Sequence, residues 1–281
     1  MIQLEEIIEK ECVNFSKQAL VLGSAPTVKN SLKRKFDGLV IGTGDVPWRA
    51  RGKIRCDFWV TANSVFPLPW IDSHLRELVK SDSKILISPV TVANVHENYN
   101  EVSLAFGRIF KSNRFVPYDQ RHFNGGNHAI SSSLSCCKFA QEYIKSPPIQ
   151  ILLSKLSESS TEYYSEGSTV ALHGYALAVL LQCNPIFLAG IELPSRERDY
   201  VAYKNFKLFD EKVDEKIRRL IRQHRISEQA ASVFASDLDR ILKDFTIINK
   251  IASKIGVKTY VTSASSRLLD LEGFEFSDNL N

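Results

Sequence analysis

Apolar positions along this chain change their period several times, and each change predicts an element. Residues 2 to 18 place Ile2, Leu4, Ile7, Ile8, Cys12 and Phe15 at helical spacing. The run Ala19-Leu20-Val21-Leu22 contains no polar residue and stops at Gly23, which predicts a short strand buried on both faces. The segment "PTVKNSLKRKF" then suits a helix, because Pro26 fits a first helical turn. "GLVIGTG" (38–44), "DFWVTAN" (57–63) and "KILISP" (84–89) predict further buried strands, with a helix over "LPWIDSHLRELVKS" before the last of them.

Between about 90 and 165 the periodicity weakens. Polar, small and turn residues dominate "YDQRHFNGGNHAISSSLSCC" and "SESSTEYYSEGS", the composition of a lid inserted into a regular core. Alternation then resumes. "GSTVALHGYALAVLLQC" predicts a buried helix and "NPIFLAGIEL" a buried strand. One or two helices follow over 226–254, then a late strand at "VKTYVT" and a short helix at "SSRLLDL". All-apolar strands alternating with helices predict one α/β domain over 1–281. It is Rossmann-like, a mostly parallel sheet with helices on both faces and an inserted lid at about 90–165.

Composition narrows the class further. The chain has 281 residues and a net charge of only +4, too small an excess to argue for a nucleic-acid partner. Cys12, Cys56, Cys136, Cys137 and Cys183 are odd in number and lack C-x-x-C spacing, so buried reduced thiols are expected rather than disulfides or a zinc site. The start is amphipathic and acidic, unlike a secretory leader, and no apolar run reaches the roughly 18 residues of a membrane span. A cytoplasmic protein is expected, with peripheral association at the inner face of a membrane left open.

Candidate chemistry gathers at strand ends. In an open parallel sheet, ligands bind beyond the carboxyl ends of the strands. Gly23-Ser24-Ala25-Pro26, Gly42-Thr43-Gly44-Asp45, Thr61-Ala62-Asn63 and Gly190-Ile191-Glu192 occupy those places. Small residues ahead of a helix let backbone N–H groups approach a phosphate, and the Asn63 amide suits a base or ribose. Glu192 is better placed than the D-x-D-like Asp237-Leu238-Asp239, which lies in a helical pattern. In that pattern residues two apart point to different faces. His173, in an apolar helix, reads as a core residue.

Three blocks resemble a known family. "LVLGSAPTVKN" resembles the N-terminal strand-loop-helix of bacterial family-42 sialyltransferases, where a G-N-G-P-S-L type motif stands. "STVALHGYALAVLLQCNPIFLAGIEL" resembles their helix-strand unit, whose strand ends in G-I-D-F, and "VKTYVTSASSRLL" their last strand and serine-containing loop. The first two blocks are also similar to archaeal pterin pyrophosphokinases and motility-associated accessory factors.

The sialyltransferase resemblance implies an inverting, metal-independent glycosyltransferase. It would move sialic acid or a similar sugar acid from a CMP-activated donor to a glycan hydroxyl, with no cofactor beyond that donor. It implies CMP or donor contacts for Gly23, Ser24, Ala25, Pro26, Asp45, Asn63 and Thr169, and the strand-end reading adds Gly190, Ile191 and Glu192 as nucleotide-binding residues. Tyr200 would hold the departing phosphate, and His224 would be the general base. Tyr200 lands on the second of two family tyrosines, Pro194 stands where the first is, and Gly167 stands where the family has an arginine. A histidine suits the base role because its ordinary pKa lies near working pH. The alternatives are a Mg-dependent pyrophosphokinase of the pterin type and a nucleotide-binding accessory protein without catalysis.

Overall fold

The computed structural model describes residues 17–33, 35–44, 46–50, 53–61, 83–87, 115–117, 169–193 and 226–280. Their strands are β1 (Ala19–Leu22), β2 (Leu39–Thr43), β3 (Phe58–Thr61), β4 (Lys84–Ile87), β5 (Phe115–Pro117), β6 (Ile186–Ala189), β7 (Thr259–Val261) and β8 (Glu275–Phe276). The strands make one sheet in the order β5-β4-β3-β2-β1-β6-β7-β8. Every pairing in it is parallel.

Alternation along the strands divides the core in two, because successive side chains point to opposite faces. Ala19, Val21, Ile41, Phe58, Val60, Ile186 and Leu188 pack on one face. They meet α3 (Val170–Leu180) and α4 (Ile226–Lys254). Leu20, Leu22, Val40, Phe187 and Ala189 pack on the other, under α1 (Val28–Ser31) and α2 (Val46–Arg49). Both faces of the central strands are therefore dry, and the Rossmann-like α/β expectation is borne out. A buried α3 has no polar side to display, and the residues Ala171 to Val179 are buried all round except Ala176.

Several local expectations change. The helix foreseen from Pro26 to Phe36 contracts to the single turn α1, and Thr27 at its N-cap position makes no side-chain capping bond. Val28 and Ser31 can face the sheet, but Lys33 and Lys35 are exposed and supply no apolar stripe to hold a longer helix. The region 226–254 is one continuous helix of 29 residues. The single-turn α2 and the strands β5 and β8 were not foreseen. Elements of two to four residues leave no periodic run, and β5 and β8 lie at the sheet edges. There Pro117 needs to donate no ladder bond.

One buried polar knot ties α3, α4 and β7 together. The Tyr175 hydroxyl bonds Asn249 Oδ1 at 2.9 Å and Thr259 Oγ1 at 2.8 Å. Asn249 Nδ2 donates onward to the Glu272 carbonyl at 3.2 Å. Tyr175→Phe strands two buried groups, and we expect it to lower unfolding free energy by about 1 to 3 kcal/mol in urea titration. A loss below half a kilocalorie, about the size of an ordinary surface substitution, would show the knot to be dispensable.

Candidate functional site

Strands β1 to β5 progress to one side of β1, while β6, β7 and β8 progress to the other. The chain thus reverses direction across the sheet between β1 and β6. At such a switch point the loops leaving the two strands separate to opposite faces and open a crevice. Three segments meet there: 23–27 after β1, 190–193 after β6, and 262–266 after β7.

The first two segments interlock through their backbones. The Gly23 amide donates to the Ala189 carbonyl at 2.7 Å, and the Ala25 amide to the Gly190 carbonyl at 3.0 Å. A Cβ on Gly23 would stand 2.4 Å from the Gly190 oxygen. One on Gly190, whose φ is +68°, would stand 2.5 Å from the Gly23 oxygen and 2.8 Å from Val28 Cβ. The small residues read as a phosphate cradle are thus required first by loop–loop contact. Two of their amides are engaged in it. The half-buried Ser24 offers an amide and a hydroxyl that have no partner among the described residues.

Glu192 is the chemical centre of the crevice. It is 2 % exposed. The Thr27 hydroxyl donates to its Oε1, while Oε2 has no hydrogen-bond partner among the described residues. Burial raises its pKa above the ordinary carboxylate value; the Thr27 and Ser263 hydroxyls and its own amide oppose that shift without cancelling it. The turn that carries it is held from the far side by the third segment. Ser266 Oγ donates to the Ile191 carbonyl at 2.5 Å, and the Arg267 amide to the Glu192 carbonyl at 3.0 Å. Leu193 completes the turn at φ 50°, a conformation a leucine keeps only when its surroundings impose it.

Hydroxyls line the neighbouring wall. Ser263 Oγ and Ser265 Oγ lie 2.8 Å apart, and Ser31 Oγ lies 2.9 Å from Thr262 Oγ1. Thr169 sits at the head of α3, where its Oγ1 accepts from the Ala171 amide at 3.4 Å and caps the helix. Gly174 of that helix packs on Thr43, the last residue of β2. The first turn of α3 therefore projects past the carboxyl ends of the strands, on the same side as the crevice.

The structure brings Gly23, Ser24, Ala25, Pro26, Gly190, Ile191 and Glu192 into one place, with Thr169 at the same end of the sheet. Asp45, Asn63, Tyr200 and His224 lie outside the described residues, as does the lid region apart from β5. Thr27 was not among the sequence-predicted site residues. Its only local signal is a hydroxyl at a helix start, and its partner is 165 positions away.

Three titratable groups away from the crevice behave as core. His173 is fully buried, and burial lowers its pKa to about 3. Burial, aided by the Asp57 carboxylate, pushes the Cys56 thiol up to about 12, and burial alone does the same for Cys183. These thiols stay protonated and unreactive. On α4, Asp239 is exposed beside buried Leu238, as a helix-surface carboxylate should be. Among the described residues no group of three His, Cys, Asp or Glu is placed to hold a metal ion, and no helix is long and apolar enough to cross a membrane.

No family model and no curated protein matches this chain. Solved structures do. The sialyltransferase CstII from Campylobacter jejuni, in complex with the substrate analogue CMP-3FNeuAc, aligns with 16% identity and a TM-score of 0.48, covering 94% of this chain and 88% of that one. CstII in complex with a trisaccharide acceptor and CMP aligns with 14% identity and a TM-score of 0.46, covering 92% and 86%. The monofunctional alpha-2,3-sialyltransferase Cst-I from Campylobacter jejuni aligns with 15% identity and a TM-score of 0.45, covering 94% and 82%.

Proposed function

We propose that this chain is a sialyltransferase-like enzyme that moves a sugar acid from a CMP-activated donor to a glycan hydroxyl, with CMP held in the crevice between β1 and β6. One observation carries the reading. The three sequence blocks that resemble the family are separated by well over a hundred residues at their extremes, yet their strand-end segments 23–27, 190–193 and 262–266 meet at the switch point of the sheet. A nucleotide there faces the Ser24 amide, the hydroxyls of the 262–266 segment and the Glu192 carboxyl.

The chemistry we assign is inverting and needs no metal. Tyr200 and backbone donors stabilise the phosphate as CMP departs, Asn63 and Asp45 contact the donor, and His224 takes the acceptor proton. The 90–165 insertion excludes water, which would otherwise hydrolyse the same donor.

Thermal shift with CMP, CDP, CTP and ATP, each with and without Mg²⁺, tests the site. CMP at a hundredfold excess over Kd should stabilise the fold by about 2.7 kcal/mol whether or not Mg²⁺ is present. Stabilisation by ATP alone, and only with Mg²⁺, would replace this reading with the pyrophosphokinase. CMP binding with no donor turnover would leave an accessory protein. His224→Ala should reduce turnover roughly 10²-fold while CMP affinity stays near wild type. An unchanged rate removes His224 from the mechanism.

A further inference from the structure

The end of the sheet opposite the crevice carries an uneven charge. Because every pairing is parallel, the segments that enter the strands all lie at this amino-terminal end. Segment 17–18 enters β1, 32–38 enters β2, 50–57 enters β3, 181–185 enters β6 and 255–258 enters β7. Their described residues expose Lys17, Lys33, Lys35, Lys53, Arg55 and Lys258 against the two acids Asp37 and Asp57. Six less two is +4 across the described residues of these five segments.

The five strands concerned stand side by side in the order β3-β2-β1-β6-β7. At about 4.8 Å per strand the basic strip spans about 19 Å. Local bonds pin its backbone. The Asn184 amide donates to the Lys17 carbonyl at 3.2 Å, Gln18 Nε2 to the Asp37 carbonyl at 3.4 Å, and the Lys258 amide to Asn184 Oδ1 at 3.0 Å. The charges are thus presented from fixed points along one edge.

We propose that this edge docks on an anionic phospholipid bilayer. Five of the six cations are lysines, which act as mobile point charges and suit a diffuse field of lipid phosphates better than bidentate recognition of one group. The strip crosses the amino-terminal ends of five adjacent strands. Docked this way, the crevice at the carboxyl ends of the strands faces away from the lipid. It stands at least a strand's length, about 13 Å, further from it, open to an acceptor arriving from solvent.

Co-sedimentation of the full chain with phosphatidylcholine vesicles, with and without one-third phosphatidylglycerol, tests the proposal. Binding should require the anionic lipid and weaken steeply as salt rises. The rim variant Lys17→Glu, Lys53→Glu, Lys258→Glu should lose at least about 100-fold in partitioning. A control with the same net charge, Lys29→Glu, Lys243→Glu, Lys250→Glu, should keep most of its binding. The same rim trio changed to Gln serves if the Glu variant does not fold. No binding to anionic vesicles, equal loss in both variants, or single-stranded RNA displacing the protein from the vesicles would each overturn the assignment.

Discussion

Replacing Gly190 with valine should lower the unfolding free energy by about 3 to 5 kcal/mol and abolish stabilisation by CMP. Two separate costs add. The left-handed backbone at φ +68° disfavours any Cβ, most of all a branched one, by about 1 to 2 kcal/mol. The new atoms also meet the Gly23 carbonyl at 2.5 Å and Val28 Cβ at 2.8 Å, and overpacking of that kind costs about 1 to 3 kcal/mol. Neither neighbour can yield cheaply. Gly23 is bonded to the end of β6, and Val28 is fully buried in the second core. Gly190→Ala should act in the same direction with a smaller loss, and Ser24→Ala, on a half-buried loop residue, should stay within about half a kilocalorie. Urea unfolding and a CMP thermal shift read all three. A Gly190→Val protein with wild-type stability would mean that the two loops do not interlock.

The interlock also explains which parts of the molecule the sequence discloses. Ala19 to Leu22 and Ile186 to Ala189 announce themselves as strands because both of their faces are dry and no position can be polar. The loop after each was legible as a ligand site because a parallel sheet gathers all its carboxyl ends on one side. What local pattern does not encode is which strand lies beside which. β1 adjoins β6, across a gap of more than 160 residues, and only that adjacency makes Gly23 touch Gly190 and Thr27 reach Glu192. The hydroxyl of Thr27 and the buried state of Glu192 were therefore invisible, whereas their positions near a strand end were not. Short elements were lost for a different reason. A single turn such as Val46–Arg49, or an edge pair such as Glu275–Phe276, is held by its neighbours rather than by any period of its own.

Acidification from pH 6.5 to pH 4 should cost the fold about 3 kcal/mol through His173 alone. The side chain, carried by α3, is fully buried and remains neutral until about pH 3. The unfolded chain, by contrast, takes up that proton near the ordinary value of about 6.5. Between those limits the unfolded state binds the extra proton, so stability falls by roughly 1.4 kcal/mol for each pH unit lost. Glu192 works in the opposite sense. Its pKa is raised in the folded protein, so the native state holds a proton that the unfolded chain has released. Its stabilisation is complete below the ordinary carboxylate range and is lost as pH rises through the raised folded value. The two groups act in opposite senses, so each offsets the other where their pH ranges overlap. Glu192→Gln keeps an acceptor for Thr27 and removes the charge, so it should flatten the alkaline limb and raise stability there by about 1 to 3 kcal/mol. His173→Asn should flatten the acid limb. If that variant folds poorly, nuclear magnetic resonance titration of the wild-type imidazole gives the same information without a substitution. A ring that protonates near pH 6 in the folded protein would mean that the core beneath α3 is wet. The acid limb would then have to come from other groups.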